Sequence, residues 1–257
     1  MRVFITGASS GIGAALARHY AQAGATLGLA ARRQRQLLDL AARFPAELPG
    51  GHACYALDVA DAAALQAAAA DFIARYGCPD IVIANAGVSV GTLADDAGDL
   101  PALRRVFEVN VIGMAQTLQP FIAAMKARGS GRLVGIASVA GIRGLPGAGA
   151  YSASKAATIA YLEALRGELR GSGVKVVTIA PGYIATPMTA ANPYPMPFLL
   201  PADAAARRFA RAIERGSSYT VIPWQMGVVA KLLRLLPNPL FDALFARAGR
   251  KPRGLDL

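Results

Sequence analysis

Residues 2–13 read RVFITGASSGIG, an apolar, β-branched run that breaks into glycines and small residues. The first positions suit a buried strand. The glycines stand at 7, 11 and 13, a G-x3-G-x-G spacing. The continuation GIGAALARHYAQAG has helical period up to Gly24, a residue suited to stopping a helix. A strand that runs through small residues into a helix makes a turn whose backbone can approach an anion. The first N–H groups of the helix are unpaired there, and its dipole is positive. Outside that context the same glycines would say little.

The alternation set up by this stretch continues. ATLGLAA, HACYALDV, DIVIANAG, GRLVGIAS and VKVVTIAP read as strands. Between them lie helical segments: RRQRQLLDLAARF, stopped before Pro45; DAAALQAAAADFIARYG, with Asp61 as N-cap; a long helical region over about 101–128; and a helix over 150–171. Strands apolar on both faces and separated by helices form a parallel sheet covered on both sides. Right-handed crossovers make it doubly wound, a Rossmann-type α/β fold. No linker divides the chain, so one domain is expected over 1–257. Its nucleotide-binding and catalytic core would span 1–190, a substrate lid region 183–216, and a basic amphipathic C-terminal extension 224–257.

The chain has 257 residues, two cysteines and a net charge of +11. Cys54, Cys78, His19 and His52 lack metal-ligand spacing, so no metal site is expected. The positive charge comes almost wholly from arginine, without an aromatic-rich basic stripe or a nucleic-acid motif. Solvated surface arginine explains it better than a nucleic-acid partner. The N-terminus enters a strand directly, with no signal-like h-region, and no apolar run is long enough to span a bilayer. A cytoplasmic protein is expected.

The carboxyl ends of the strands are where such a sheet binds its ligand. Gly7, Ser9, Ser10, Gly11, Ile12 and Gly13 would form a pyrophosphate turn. The second strand ends in GLAARRQR, with no acid to hold ribose hydroxyls. Arg32 and Arg33 stand there instead, and a guanidinium can hold a 2′-phosphate bidentately. NADP(H) is therefore favoured over NAD(H). Asp58 and Val59, in LDV, and Asn85, Ala86 and Gly87, in NAG, end the third and fourth strands. Asp58 could accept from an adenine amino group.

In GAYSASKAATIAYLEALRGEL, residues 149–169, Tyr151 and Lys155 share one helix face at i, i+4. A free tyrosine is a sluggish base at neutral pH, and a neighbouring ammonium stabilises its phenolate. Alone, the pair reads equally as two polar residues on a helix. With TGASSGIG, NAG, Asn110 in EVNVIG, Ser138 in GIASVAG, YSASK and PGYIAT in one order, the chain resembles the short-chain dehydrogenase/reductase family, in its compact branch of about 250 residues. The resemblance covers roughly 1–190. It implies an NAD(P)-dependent enzyme that interconverts a carbonyl and an alcohol. Tyr151 would be the general acid/base, and Lys155 would hold the nicotinamide ribose and lower the Tyr151 pKa. Ser138 would bind the substrate oxygen, and Asn110 would support a water relay. Pro181, Gly182, Ile184 and Thr186 would line the nicotinamide and pyrophosphate. The resemblance also implies a dimer or tetramer paired through the helices at 101–128 and 150–171. One departure is Ala84, where many members carry a first asparagine. The rival reading is a non-catalytic NADP-binding sensor or scaffold.

The lid sequence NPYPMPFLLP offers Tyr194, Met196, Phe198 and Leu199, which favours an apolar substrate over a small polar one. Ser152, Ala153 and Ser154 are small enough to let the helix sit close to the cofactor. Late in the chain, MGVVAKLLRLL and LFDALFARAGRKPR are basic and amphipathic. Such helices lie on an anionic bilayer or pack on protein, and both remain open, a membrane-surface lipid carbonyl reductase among them.

Overall fold

A computed structural model describes residues 1–44, 51–246 and 248–254. Seven parallel strands form one sheet in the order β3-β2-β1-β4-β5-β6-β9. They are β1 (Arg2–Thr6), β2 (Thr26–Ala31), β3 (Ala53–Ala56), β4 (Ile81–Ala84), β5 (Gly131–Ile136), β6 (Val174–Pro181) and β9 (Tyr219–Ile222). Helices α1 (Gly11–Gln22), α2 (Gln34–Ala41), α3 (Ala62–Tyr76), α4 (Leu100–Phe107), α5 (Gly113–Arg128) and α6 (Gly149–Glu168) alternate with them. The order reverses between β1 and β4, and that switch point opens a crevice at the carboxyl ends. This is the expected doubly wound Rossmann fold.

Two cores flank the sheet because the strands are apolar on both sides. On one, Val3, Ile5, Leu27 and Leu29 pack with Leu16 and Tyr20 of α1. On the other, Phe4 meets Phe72 and Phe121 at ring-centroid distances of 5.6 and 5.0 Å. Burying such a ring contributes about 2–3 kcal/mol. Asp61 caps α3 by accepting from the Ala64 N–H at 3.0 Å, as its position predicts.

Several sequence expectations need correction. The segment at 101–128 is not one regular helix: a π-helical turn at Glu108–Ile112 separates α4 from α5. The turn widens the ladder where Asn110 must reach sideways, and the Asn110 carbonyl accepts from the Thr158 hydroxyl instead. Helix α2 ends at Ala41, and Pro45, its expected stop, lies outside the described residues. Within 183–216, only the first part is loop-like, with the short pieces β7 (Ile184–Ala185), α7 (Pro187–Ala190) and β8 (Leu200–Pro201). Helix α8 (Ala202–Arg215) belongs to the core layer. Its Phe209 and Ile213 are fully buried, and Asp203 pairs with Arg18 of α1 at 2.6 Å. The chain ends in α9 (Trp224–Leu235), α10 (Asn238–Phe245) and a tail. Among the described residues no helix is long and apolar enough to cross a membrane, and no cluster of metal-ligating side chains occurs.

Candidate active site

The crevice is a cleft of about 350 Å³ lined by the glycine turn, the ends of β2 to β6, and Tyr151 and Lys155 of α6. The turn after β1 depends on its glycines. A Cβ at Gly7, where φ is +65°, would stand 2.7 Å from the Ala86 Cα, and one at Gly13 would collide with the Gly7 carbonyl. Asn85 ties the turn to the end of β4, its amide donating to the Thr6 and Gly7 carbonyls at 3.1 and 3.2 Å. Helix α1 then starts with no side-chain cap and no acid in its first turn. Its free N–H groups are thus left to an anion.

Positive charge gathers beside that helix end. Arg33 donates to the Ser9 hydroxyl at 2.9 Å and to the Ser10 hydroxyl at 2.7 Å. Arg32 lines the same cleft. The uncapped helix end, the glycine cradle and two guanidiniums form a donor set suited to the phosphates of a dinucleotide.

Asp58 lines the cleft as expected, but its carboxylate is already engaged. One oxygen accepts from the Ala60 N–H at 3.0 Å, and the other pairs with Arg105 of α4. Burial alone would raise the Asp58 carboxyl, yet the Ala60 amide and Arg105 hold it below its usual range. The sequence reading missed Arg105. Its partner is 47 positions away, and nothing in the α4 segment distinguishes it from other surface arginines.

The Tyr151 ring lies in the cleft wall, with the Lys155 ammonium 5.8 Å from its centroid. Lys155 is buried and donates at 2.8 Å to the Ile136 carbonyl. Burial pulls its pKa down to about 8. Burial also pushes the Tyr151 phenol up, opposed by a hydrogen bond with Ser138. The net direction for Tyr151 is thus opposite to the lowering expected from Lys155. Ser138 follows β5, and its hydroxyl accepts from the Ala140 N–H at 3.2 Å, which fixes the side chain beside Tyr151.

Asn110 and Gly13 do not line the cleft; the other site residues expected from sequence do. Gly13 packs behind the turn. Asn110 is 1 % exposed and sits behind Lys155. Its oxygen accepts from the Val88 N–H at 2.8 Å, and its amide donates to the Val88 carbonyl and the Ser154 hydroxyl, each at 3.0 Å. Asn110 thereby clamps the loop after β4 to α6. Two of the small residues of α6 make hydrogen bonds of their own. Ser154 holds Asn110, Ser152 accepts from the Leu145 N–H at 3.2 Å, and Ala153 faces solvent.

The lid residues also divide differently. Phe198 and Leu199 are exposed, Tyr194 and Met196 are half-buried, and none of the four lines the cleft. Pro187, Met188 and Thr189 line it instead.

The profile of a family described as short chain dehydrogenase matches residues 1–195. An uncharacterized oxidoreductase of Myxococcus xanthus is 42% identical over 246 residues, 95% of each chain. A 3-ketoacyl-ACP reductase from Sinorhizobium meliloti superposes with a TM-score of 0.78 at 29% identity, covering 89% of this chain and 100% of its own. An alcohol dehydrogenase from Thermococcus sibiricus, solved in complex with 5-hydroxy-NADP, superposes with a TM-score of 0.76 at 27% identity. It covers 86% of this chain and 95% of its own.

Proposed function

The chain belongs to the short chain dehydrogenase family and is an NAD(P)-dependent oxidoreductase; from that premise we propose that it is an NADP(H)-preferring reductase of ketones or aldehydes, interconverting them with their alcohols. The observation that carries the reading is the placement of Tyr151, Lys155 and Ser138 on one wall of a cleft whose other end holds the glycine turn and Arg33. A cofactor held there supplies the hydride. Gly7, Ser9, Ser10, Gly11 and Ile12 would hold its pyrophosphate, and Arg32 and Arg33 a 2′-phosphate. The Thermococcus sibiricus neighbour, solved with an NADP derivative, supports that choice.

The residues divide the proton work. Ser138 orients the substrate oxygen and hydrogen-bonds the Tyr151 phenol. Tyr151, kept protonated by its burial, donates its proton to the developing alkoxide. Lys155 stabilises the phenolate left behind, at the price of its own desolvation. Asn110 keeps α6 in register with the loop after β4. The substrate body is apolar, lying against Met188 and Pro187 of the cleft wall. Leu103, Ile112 and Tyr161, exposed on the α4–α6 side, support pairing into a homodimer or homotetramer there. Reduction of aliphatic, acyl, steroid and sugar carbonyls, followed by NADPH consumption, tests the reading. Turnover with at least one apolar ketone is expected, with NADH used less well. A panel with no carbonyl reduced would overturn it.

A second reading concerns place. Trp224, Val228, Leu232 and Leu235 form an exposed apolar stripe along α9, extended by Leu240 and Leu244 of α10, with Lys231 and Arg234 beside it. This arrangement suits peripheral contact with an anionic bilayer by an enzyme of the cytoplasm. Sedimentation with anionic vesicles should fall for Leu232→Ser and Leu235→Ser. Unchanged sedimentation would leave the stripe to protein packing.

A further inference from the structure

The tail after α10 does not leave the molecule. It crosses back over the loop after β4 and the approach to α6, beside Tyr151 and outside the cleft lining described above. Arg253 pairs with Asp96 and with Asp99, the latter at 2.8 Å. The Pro252 carbonyl accepts from the Gly91 N–H at 2.8 Å. The approach is so close that a Cβ at Gly91 would strike the Lys251 carbonyl. Arg250 lays its stem on Gly147, just before α6, and Gly249 packs on Tyr194 of the lid. Residues 249–253 thus touch the loop after β4, the approach to α6 and the lid together.

The strap carries a charge to the catalytic tyrosine. The Lys251 ammonium lies 5.9 Å from the Tyr151 ring centroid, nearly the 5.8 Å of Lys155. The two lysines differ in what holds them. Lys155 donates to the Ile136 carbonyl. Among the described residues, neither a carboxylate nor a carbonyl engages the Lys251 ammonium. Burial pulls its pKa down to about 8, so it remains largely charged at neutral pH. Desolvating an ammonium without a partner is costly, and the strap's other fastenings hold Lys251 in place despite that. Two other cations, Arg253 and Arg143, are occupied. Arg253 is neutralised by two aspartates, and Arg143 donates to carbonyls at the end of α9 and covers the Phe241 ring.

We propose that Lys251 is a specificity residue of the substrate site, an ammonium held by the C-terminal strap beside Tyr151 to receive a carboxylate that the substrate carries a few bonds from its reacting carbonyl. One compact cation suits a monoanionic carboxylate. A phosphate dianion would call for further donors at the same point, and Arg253, two positions on, is committed to Asp96 and Asp99. The preferred substrate is then an oxo acid whose carbon chain is apolar, not a neutral ketone. Lys251 takes no proton in the reaction; it places the carbonyl against Tyr151 and Ser138.

This inference rests on the reductase reading, and the test separates the two. Medium-chain 2-oxo and 4-oxo alkanoates and their methyl esters are compared as substrates with NADPH, in wild type, Lys251→Met and Lys251→Arg. Wild type should prefer the acids. Lys251→Met should lower the acid-to-ester ratio of kcat/KM by about 10- to 100-fold, through KM, as expected for loss of a charge-assisted contact. Lys251→Arg should keep most of the ratio. Arg253→Ala, which frees the strap, should lower it as well. Calorimetric binding of the oxo acid needs no turnover and should weaken in parallel. Equal preference for acid and ester in wild type, or a ratio unmoved in Lys251→Met, overturns the inference while ester reduction still upholds the reductase. Carboxylate binding that depends on Lys251, with no carbonyl reduced at all, upholds the anion site and overturns the reductase.

Discussion

The Lys155 ammonium lies 5.8 Å from the centre of the Tyr151 ring, and both groups are shifted by burial in opposite directions, the lysine down to about 8 and the phenol up. On the proposed mechanism, the buried ammonium bears that cost so that its charge is present when Tyr151 becomes a phenolate. Stability is thereby set against function at one pair of residues.

Lys155→Met should abolish turnover and raise the melting temperature at pH 7 by a few degrees. The folded pKa of Lys155 is about 8 against an ordinary 10.5. Below pH 8 the ammonium is charged in both states and the fold bears the whole penalty. Between about 8 and 10.5 the unfolded chain holds more protons, so stability rises with pH. Above that range the penalty is gone. The variant's melting temperature should therefore rise less between pH 8 and 10 than that of wild type. Lys251 contributes a similar slope in both proteins. Melting curves across that range measure the difference.

The raised Tyr151 pKa predicts a directional pH profile. Reduction needs the protonated phenol, so its rate should stay flat through neutral pH. Alcohol oxidation needs the phenolate, so its kcat/KM should climb with pH into the alkaline range. Measuring both directions on one substrate pair checks this. An oxidation rate already level at pH 7 would place the Tyr151 pKa below neutrality.

Arg33 bridges Ser9 and Ser10 at the cleft mouth. Arg33→Ala should raise the KM for NADPH by about 10- to 100-fold, the worth of one charge-assisted contact, and should change the KM for NADH far less. Arg32→Ala should act in the same direction. Equal losses with both cofactors would assign the pair to the shape of the turn and not to a 2′-phosphate.

The Asn110 side chain makes three hydrogen bonds at 1 % exposure. Asn110→Ala leaves the Val88 N–H and carbonyl unpaired and should cost about 2–4 kcal/mol in denaturant unfolding, with turnover falling too. Ser138→Ala, by contrast, should lose turnover with much smaller loss of stability. Similar unfolding midpoints for the two variants would contradict the clamp.

How far the sequence was legible follows from the range of each interaction. The strand-turn-helix at 2–13, the individual strands and the Asp61 cap rest on neighbours within a few residues and were readable, and the alternation of strands with helices implied the parallel sheet. The cleft was readable because strand ends carry its residues. Contacts made across the fold were not. The Asp58–Arg105 pair spans 47 positions, and the Asn110–Ser154 bond spans 44. The latter gives Ser154 of α6 a role that the helical pattern did not show. Phe198 and Leu199 were taken for pocket walls on hydrophobicity alone, but hydrophobicity does not give direction in a loop. The tail was read as a basic amphipathic extension, open to a bilayer or to packing on protein. Contacts such as the Arg253 ion pairs, 154 and 157 positions long, turn it into a strap.

The measurement that bears most directly on the account is the Tyr151→Phe variant, with NADPH affinity and single-turnover reduction determined on the same preparation. The change removes one hydroxyl from a residue at the cleft wall. NADPH should bind within a few-fold of wild type, while reduction should fall by about 10²–10⁴, the usual contribution of a positioned acid. Reduction at close to the wild-type rate would contradict the assignment of Tyr151 as the proton donor.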